Sequence, residues 1–270
     1  MKEIMRTHDI SALFSVKDKV VLITGGGGLA TCLGKAFMQN GAHVVFTCRR
    51  RVKLDILEED LKGNGFNEAD YELYLMDQRE KGEIEKVVAA VKEKNGRIDA
   101  LINTAGIAPN DTAEDFDAEQ VKTVIDTNLL AAIYTTQAVG KAMIENGGGK
   151  VINIGSIAGY LPHTYISMPY QAAKAGVHQM TKAFAVDWGK YNINVNCIAP
   201  TWIKTPMTEV KPENYKKAVV GMHEFGRMAD ADDFVGAAIF LASDASNFIT
   251  GHVLFVDGGW SAGKPLSYEE

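Results

Sequence analysis

The sequence predicts an α/β fold: a doubly wound, mostly parallel seven-stranded sheet with helices on both faces. Three observations carry this expectation. Short apolar runs alternate with helix-patterned stretches from one end of the chain to the other. Most of those runs are continuous in polarity, as strands covered by helices on both faces require. A cluster of glycines, 25–28, stands between the first run and the first helical stretch.

The elements follow in order. Residues 20–24 read Val-Val-Leu-Ile-Thr and give the first strand, followed by helical patterning at 29–40. The β-branched and aromatic run 43–47 is the second strand, and 51–62 the helix after it. Residues 71–76 and 100–103 are the third and fourth strands, separated by a helix at 80–94. A long helical stretch, 117–146, ends at three glycines, 147–149, which read as a turn feeding a strand at 150–156. Helix 168–190, strand 194–198, helix 231–242 and strand 253–256 complete the series. Such alternation implies right-handed βαβ crossovers and hence a parallel sheet. No proline- or serine-rich linker and no internal repeat divides the chain. One domain over 1–270 is therefore expected, with 1–15 as an N-terminal extension. Residues 200–227 hold Pro200, Pro206 and Pro212 and read as irregular. They follow a strand's carboxyl end, where open α/β sheets bind ligands, and are expected to form a substrate lid.

Composition narrows the class of protein. With 270 residues and 46% apolar content the chain can bury a sizeable core. A formal charge of -6 argues against nucleic acid as a partner. Cys32, Cys48 and Cys197 are odd in number and far apart, without metal-ligand or CxxC spacing, which suits reduced thiols in the cytoplasm. The six histidines are dispersed, so no metal is expected. No run approaches membrane-spanning length, and 1–15 lacks the pattern of a signal peptide. A small-molecule substrate is the expected partner.

Two constellations carry chemistry. The first is Thr24-Gly25-Gly26-Gly27-Gly28-Leu29-Ala30, a strand-to-helix turn. Glycines let the backbone approach a pyrophosphate, and the helix N-terminus offers N–H donors and positive potential. In this position the cluster is a dinucleotide-binding signal of the Rossmann type. The second is Tyr170-Gln-Ala-Ala-Lys174, which puts a phenol and an ammonium one helical turn apart on one face, with Ser156 upstream. A fixed cation beside a phenol favours the phenolate and brings its proton transfer nearer neutrality. A serine-hydrolase reading fails, because Ser156 is flanked by Ile154 and Ala158 rather than by the glycines of G-x-S-x-G.

Taken together, these motifs resemble the short-chain dehydrogenase/reductase family over nearly the whole chain. The glycine turn fits the family's T-G-x-x-x-G-x-G with one residue deleted, Gly25, Gly28 and Ala30 taking the glycine places and Leu29 lying between. Asp77, with Gln78 beside it, is similar to the aspartate that bonds the adenine amino group. Asn103-Thr104-Ala105-Gly106 resembles the N-N-A-G turn after the fourth strand. Asn128, Ser156, Tyr170 and Lys174 match the catalytic tetrad. Pro200-Thr201 stands where Pro-Gly is common, and Ile203 and Thr205 resemble residues that hold the nicotinamide carboxamide. Val256-Asp257-Gly258-Gly259 resembles the final strand.

The resemblance implies a nicotinamide cofactor and proton transfer by Tyr170. Ser156 would bond the reacting oxygen, Lys174 would depress the tyrosine pKa and bind ribose, and Asn128 would hold a water in a proton relay. At the end of the second strand, where NAD enzymes place an acid, this chain has Cys48 followed by Arg49-Arg50-Arg51. A guanidinium suits a 2′-phosphate, so NADP(H) is preferred over NAD(H), with Arg49 as main contact and Arg50 as helper. The lead-in Phe14–Lys19, the run Asn192–Asn196 and the stretch 240–260 resemble the branch containing gluconate 5-dehydrogenase and 2-deoxygluconate 3-dehydrogenase. This implies a sugar acid or polyol as substrate, with a 3-oxoacyl thioester or other small ketone as the alternative. A non-catalytic cofactor-binding protein is the third reading. The loop 107–111 lacks the arginines common in that branch, leaving Lys204 or Arg227 to receive a carboxylate. The spacing from Ser156 to Tyr170 is one residue longer than is frequent in the family. Family likeness also implies a homotetramer through helices 117–146 and 168–190.

Overall fold

The computed structural model describes residues 9–109, 112–162, 167–204 and 212–263. Seven strands form one sheet: β1 (Val20–Thr24), β2 (His43–Cys48), β3 (Tyr71–Leu75), β4 (Ala100–Asn103), β5 (Gly149–Ile154), β6 (Ile193–Pro200) and β7 (Val253–Val256). Their order is β3-β2-β1-β4-β5-β6-β7, and every pairing is parallel. The order reverses between β1 and β4, which opens a crevice at the strands' carboxyl ends.

The helices are α1 (Ile10–Leu13), α2 (Gly28–Gln39), α3 (Arg51–Gly63), α4 (Lys81–Asn95), α5 (Ala118–Ile125), α6 (Ala131–Glu145), α7 (Met168–Trp188), α8 (Glu213–Val220) and α9 (Val235–Ala242). Apolar residues of the sheet are buried on both faces. One layer packs Val21, Ile23, Val44 and Phe46 against α2 and α9. The other packs Leu22, Val45, Leu101 and Val151 against α4 and α6. This is why the strand sequences read as continuous rather than alternating apolar runs. Helix α2 sits close to β2 because Gly34 leaves room for a ring: a Cβ there would lie 2.1 Å from Phe46.

Three departures from the expected elements matter. The long helix over 117–146 is interrupted by a π-helical turn, Asp126–Leu130, between α5 and α6. Strand β5 ends at Ile154, so Ser156 stands in the turn beyond it rather than in the strand. Segment 200–227 is not wholly irregular, since α8 lies within it. Pro212 caps that helix with its ring-fixed φ of -56°, Glu213 opens it, Lys217 lies in its last turn, and Val219 is buried.

The edge of the sheet is secured by a buried carboxylate. Glu72 of β3 accepts hydrogen bonds from Asn95 Nδ2 (2.9 Å) and Tyr74 OH (2.8 Å), and meets His43 Nε2 at 2.9 Å and Lys94 Nζ at 3.3 Å. Burial alone would raise its pKa, but the bonds from Asn95, Tyr74, His43 and Lys94 prevail and hold it low. A carboxyl depressed in the folded state stabilises above the unfolded carboxylate range, and this contribution is lost as pH falls through the folded value. Glu72→Gln is therefore expected to cost about 1–3 kcal/mol at pH 7 and less at pH 4. Thermal unfolding of both proteins at the two pH values checks this, and an unchanged gap between them contradicts it.

Candidate active site

The site grows from the crevice between β1 and β4. Gly25 leaves β1 at φ 96°, a conformation that favours glycine. A side chain there would also meet Thr104 Oγ1 at 2.9 Å and Ala105 Cα at 3.2 Å. Thr104 Oγ1 donates to the Thr24 carbonyl, so the turns after β1 and β4 are tied together. Gly27 caps α2 without a side-chain bond, and open space surrounds the missing Cβ of both Gly27 and Gly28. Ala30 is buried inside α2, where φ is helical, so the shortened turn tolerates it without strain. The first-turn N–H groups of α2 thus face an unobstructed concavity, which fits the pyrophosphate of a dinucleotide.

That concavity is a cleft of about 390 Å³. Gly25, Leu29, Cys48, Arg49, Asp77, Gln78, Ala105 and Gly106, all expected from the sequence, lie in its wall. Arg50 joins them, together with Lys53, Arg79 and Thr127, which sequence reasoning missed. The signal for Lys53 was its place on the first turn of α3, directly after the arginine run. That for Arg79 was its position two residues beyond Asp77. Arg79 Nε lies 3.0 and 3.2 Å from the two Asp77 oxygens, its Nη2 is 2.5 Å from Oδ2, and its hydrogen bonds hold the carboxyl below the usual range.

Other expected residues stand outside the wall. Gly28 begins α2 beside the cleft. Asn103 lies beneath it, buried, with Nδ2 donating to Thr136 Oγ1 (3.0 Å) and Asn153 Oδ1 (2.9 Å). Its side chain therefore ties β4 to β5 and α6. Pro200 ends β6, and Ile203 forms an isolated bridge with Ala229. Thr205 lies outside the described residues. The two cations proposed for a substrate carboxylate are both paired: Lys204 Nζ with Asp230 at 3.1 Å, and Arg227 with Asp233 at 2.6 and 2.7 Å.

Ser156, Tyr170, Lys174 and Asn128 come together beyond Gly106. Ser156 Oγ accepts from the Ala158 N–H (3.1 Å) and hydrogen-bonds the Tyr170 hydroxyl. Lys174 Nζ sits 5.7 Å from the centre of the Tyr170 ring and donates to the Ile154 carbonyl at 2.6 Å. Asn128, in the π-helical turn, accepts from Ile107 N–H (3.0 Å) and donates to the carbonyls of Ile107 and Val124 (both 2.9 Å). Both of its donors are therefore committed to backbone. A Cβ on Gly106 would lie 2.5 Å from Asn128 Oδ1 and 3.8 Å from Lys174 Nζ, so these groups converge on that glycine.

The electrostatics correct one expectation. Lys174 was expected to lower the tyrosine pKa. Instead burial raises the Tyr170 phenol, opposed only by its bond to Ser156. The same burial pulls the Lys174 ammonium down to about 8. Its Nζ is held between the Tyr170 ring and the Ile154 carbonyl, to which it donates. Among the described residues no group of His, Cys, Asp and Glu could hold a metal, and no helix is long and apolar enough to cross a membrane.

Known proteins share this arrangement's sequence and shape. A family model described as enoyl-(acyl carrier protein) reductase matches residues 25–261. The chain is 35% identical over 250 residues to gluconate 5-dehydrogenase of Gluconobacter oxydans, covering 92% of this chain and 96% of that protein. It is 35% identical over 248 residues to a 3-oxoacyl-(acyl-carrier-protein) reductase of Thermotoga maritima, covering 90% and 98%. A gluconate 5-dehydrogenase from Burkholderia cenocepacia, solved in complex with NADP and tartrate, superposes with a TM-score of 0.87 at 31% identity, covering 94% of this chain and 99% of that one.

The two glycine environments make a contrast that can be measured. Gly106→Ala forces a methyl group onto the thrice-bonded Asn128 amide and is expected to cost about 1–3 kcal/mol. Gly27→Ala points into open space and is expected to change stability by under about 0.5 kcal/mol. Chemical denaturation of both variants distinguishes them; equal losses would mean that Gly106 does not sit against Asn128.

Proposed function

Because the chain belongs to the short-chain dehydrogenase/reductase family, whose members act on CH–OH and C=O groups with a nicotinamide cofactor, we propose that it interconverts a sugar acid or polyol and its keto form, using NADP(H). The observation that carries the reading is the meeting of Ser156, Tyr170 and Lys174 beyond a glycine-lined cleft. When bound, the nicotinamide supplies or accepts the hydride. Tyr170, kept protonated by burial, gives its proton to the substrate oxygen in reduction and recovers it in oxidation. Ser156 bonds the same oxygen and favours its developing negative charge. Lys174 supplies a positive charge under the phenol, and Asn128 shapes the Ile107 loop that closes the site.

Arg49, with Arg50 and Lys53 on the same wall, offers cations to a 2′-phosphate where no carboxylate opposes them at Cys48. Asp77, oriented by Arg79, suits the adenine amino group. The substrate assignment is supported by the likeness to gluconate 5-dehydrogenases. A second reading, reduction of a 3-oxoacyl thioester or other small ketone, is favoured by the pairing of Lys204 and Arg227 with aspartates, which leaves neither prepared for a carboxylate. We further infer a single domain with an N-terminal extension over 1–15, a cytoplasmic enzyme, a homotetramer and a substrate cover in segment 200–227. Exposed Val186 on α7 and Phe248 support the assembly, and the position after β6 supports the cover.

Purified protein should oxidise NADPH with one member of a panel of keto-hexonates, ketoses and β-ketoacyl thioesters. Tyr170→Phe should lower that rate about 10²–10⁴-fold with cofactor affinity retained. Equal rates in the two proteins would remove Tyr170 from the mechanism, and a wild-type protein that binds NADPH but turns over no member of the panel would leave a cofactor-binding role. Arg49→Ala is expected to weaken NADPH about 10-fold or more, equivalent to one charge-assisted contact, while NADH is little changed. Fluorescence titration with both cofactors reads this, and unaltered NADPH binding excludes Arg49 from the phosphate site.

A further inference from the structure

Helix α7 carries a third functional residue on the stripe that holds Tyr170 and Lys174. His178 follows Lys174 by one more turn and is almost fully buried. Its Nε2 lies 3.5 Å from the Ser156 N–H, a long bond in a buried setting. The ring cannot slide away from this contact. Its edge meets Phe255 of β7 at 89°, with centroids 6.1 Å apart. A Cβ at Gly155 would lie 2.5 Å from His178 Nε2 and 2.7 Å from Cys197 Sγ, so only glycine lets the backbone pass between them. One turn earlier, Lys174 Nζ grips the Ile154 carbonyl. Two successive side chains of α7 therefore hold successive parts of the segment 154–156, one through a C=O and one through an N–H.

Resting on the oxidoreductase reading above, we propose that His178 is a positioning residue that holds the Ser156 backbone in place as a neutral imidazole protonated on Nδ1 only. The chemistry forces the tautomer. A peptide N–H can only donate, so the nitrogen it faces must carry a lone pair. Burial first, then the charges of Lys174 and Lys182, hold the His178 pKa down to about 4, which keeps that lone pair available across the working range. Ser156 Oγ is fixed by the Ala158 N–H and Tyr170, and its backbone by His178, so the hydroxyl that meets substrate oxygen is set from both sides. Misplacing a reacting group by about 1 Å can cost about 10²-fold in rate.

Two variants and one spectrum test this. His178→Met removes the acceptor at similar bulk and is expected to lower kcat about 10- to 100-fold. His178→Gln places an amide oxygen near the Nε2 position and should recover kcat to within about threefold of wild type. NADPH affinity by fluorescence titration should be unchanged in both. Full kcat in His178→Met, or equal losses in the two variants, overturns the proposal. Independently of any variant, ¹⁵N–¹H correlation of the imidazole at pH 6–8 should show His178 neutral with its proton on Nδ1. A proton on Nε2 overturns the assignment even if activity behaves as expected. Failure of the oxidoreductase reading itself would appear instead as a wild-type protein without turnover whose His178 still shows the Nδ1–H form.

Discussion

The site depends on how closely α7 approaches the end of β5. Gly159 lies against the helix backbone itself, where a Cβ would fall 2.7–2.8 Å from the main-chain atoms of Lys174 and Ala175. Gly155 passes between His178 and Cys197, and Gly176 on the helix receives Leu129 from the π-helical turn. Missing side chains at these contacts bring the backbones within reach, so that short polar links can span the gap. Lys174 reaches the Ile154 carbonyl, and Ser156 reaches Tyr170, only because of this proximity. A bulkier contact would push the helix outward and break the constellation without altering any of its polar residues.

The same proximity sets the electrostatics. Burial acts on Tyr170 and Lys174 in opposite directions on the pKa scale but to one effect, favouring the neutral form of each. Burial thus keeps the proton on Tyr170 but makes the phenol a weaker acid. Oxidation needs Tyr170 as a base, so the two directions make unequal demands on the pair. A rise in pH favours the phenolate required for oxidation but also discharges Lys174 once pH passes about 8.

Much of this was legible in the sequence, for a physical reason. Buried parallel strands leave continuous apolar runs, and a phosphate turn needs glycine at fixed places, so both survive as patterns along the chain. What escaped detection depends on contacts between distant segments. The π-helical turn is hidden because Asp126–Leu130 sits within a longer helical stretch of ordinary pattern. The pairing of Lys204 with Asp230 joins residues 26 apart, and that of Arg227 with Asp233 depends on the turn between them. His178 looked like one of several dispersed histidines because its partner, Ser156, lies on another element. The glycine cluster located the turn but not its shape. The helix start at Gly28 and the burial of Ala30 show how the loss of one residue is absorbed.

Charge is distributed unevenly between the cofactor cleft and the segment beyond β6. At the cofactor end Arg49, Arg50, Lys53 and Arg79 line one cleft with Asp77, which hydrogen-bonds Arg79 and also feels the charge of Arg49. Such an imbalance favours an additional phosphate strongly, since charge-assisted contacts are the strong ones. Beyond β6 the balance is reversed: Lys204 and Arg227 each already face an aspartate. A substrate carboxylate would have to compete with Asp230 or Asp233 for a cation, although solvent weakens exposed ion pairs of this kind. A carboxylate can therefore be admitted there but not strongly demanded. Selection of the substrate then falls to shape and hydroxyl bonding around Ser156 and Tyr170, where a buried polar group left unpaired by a wrong ligand costs more than a lost surface charge contact.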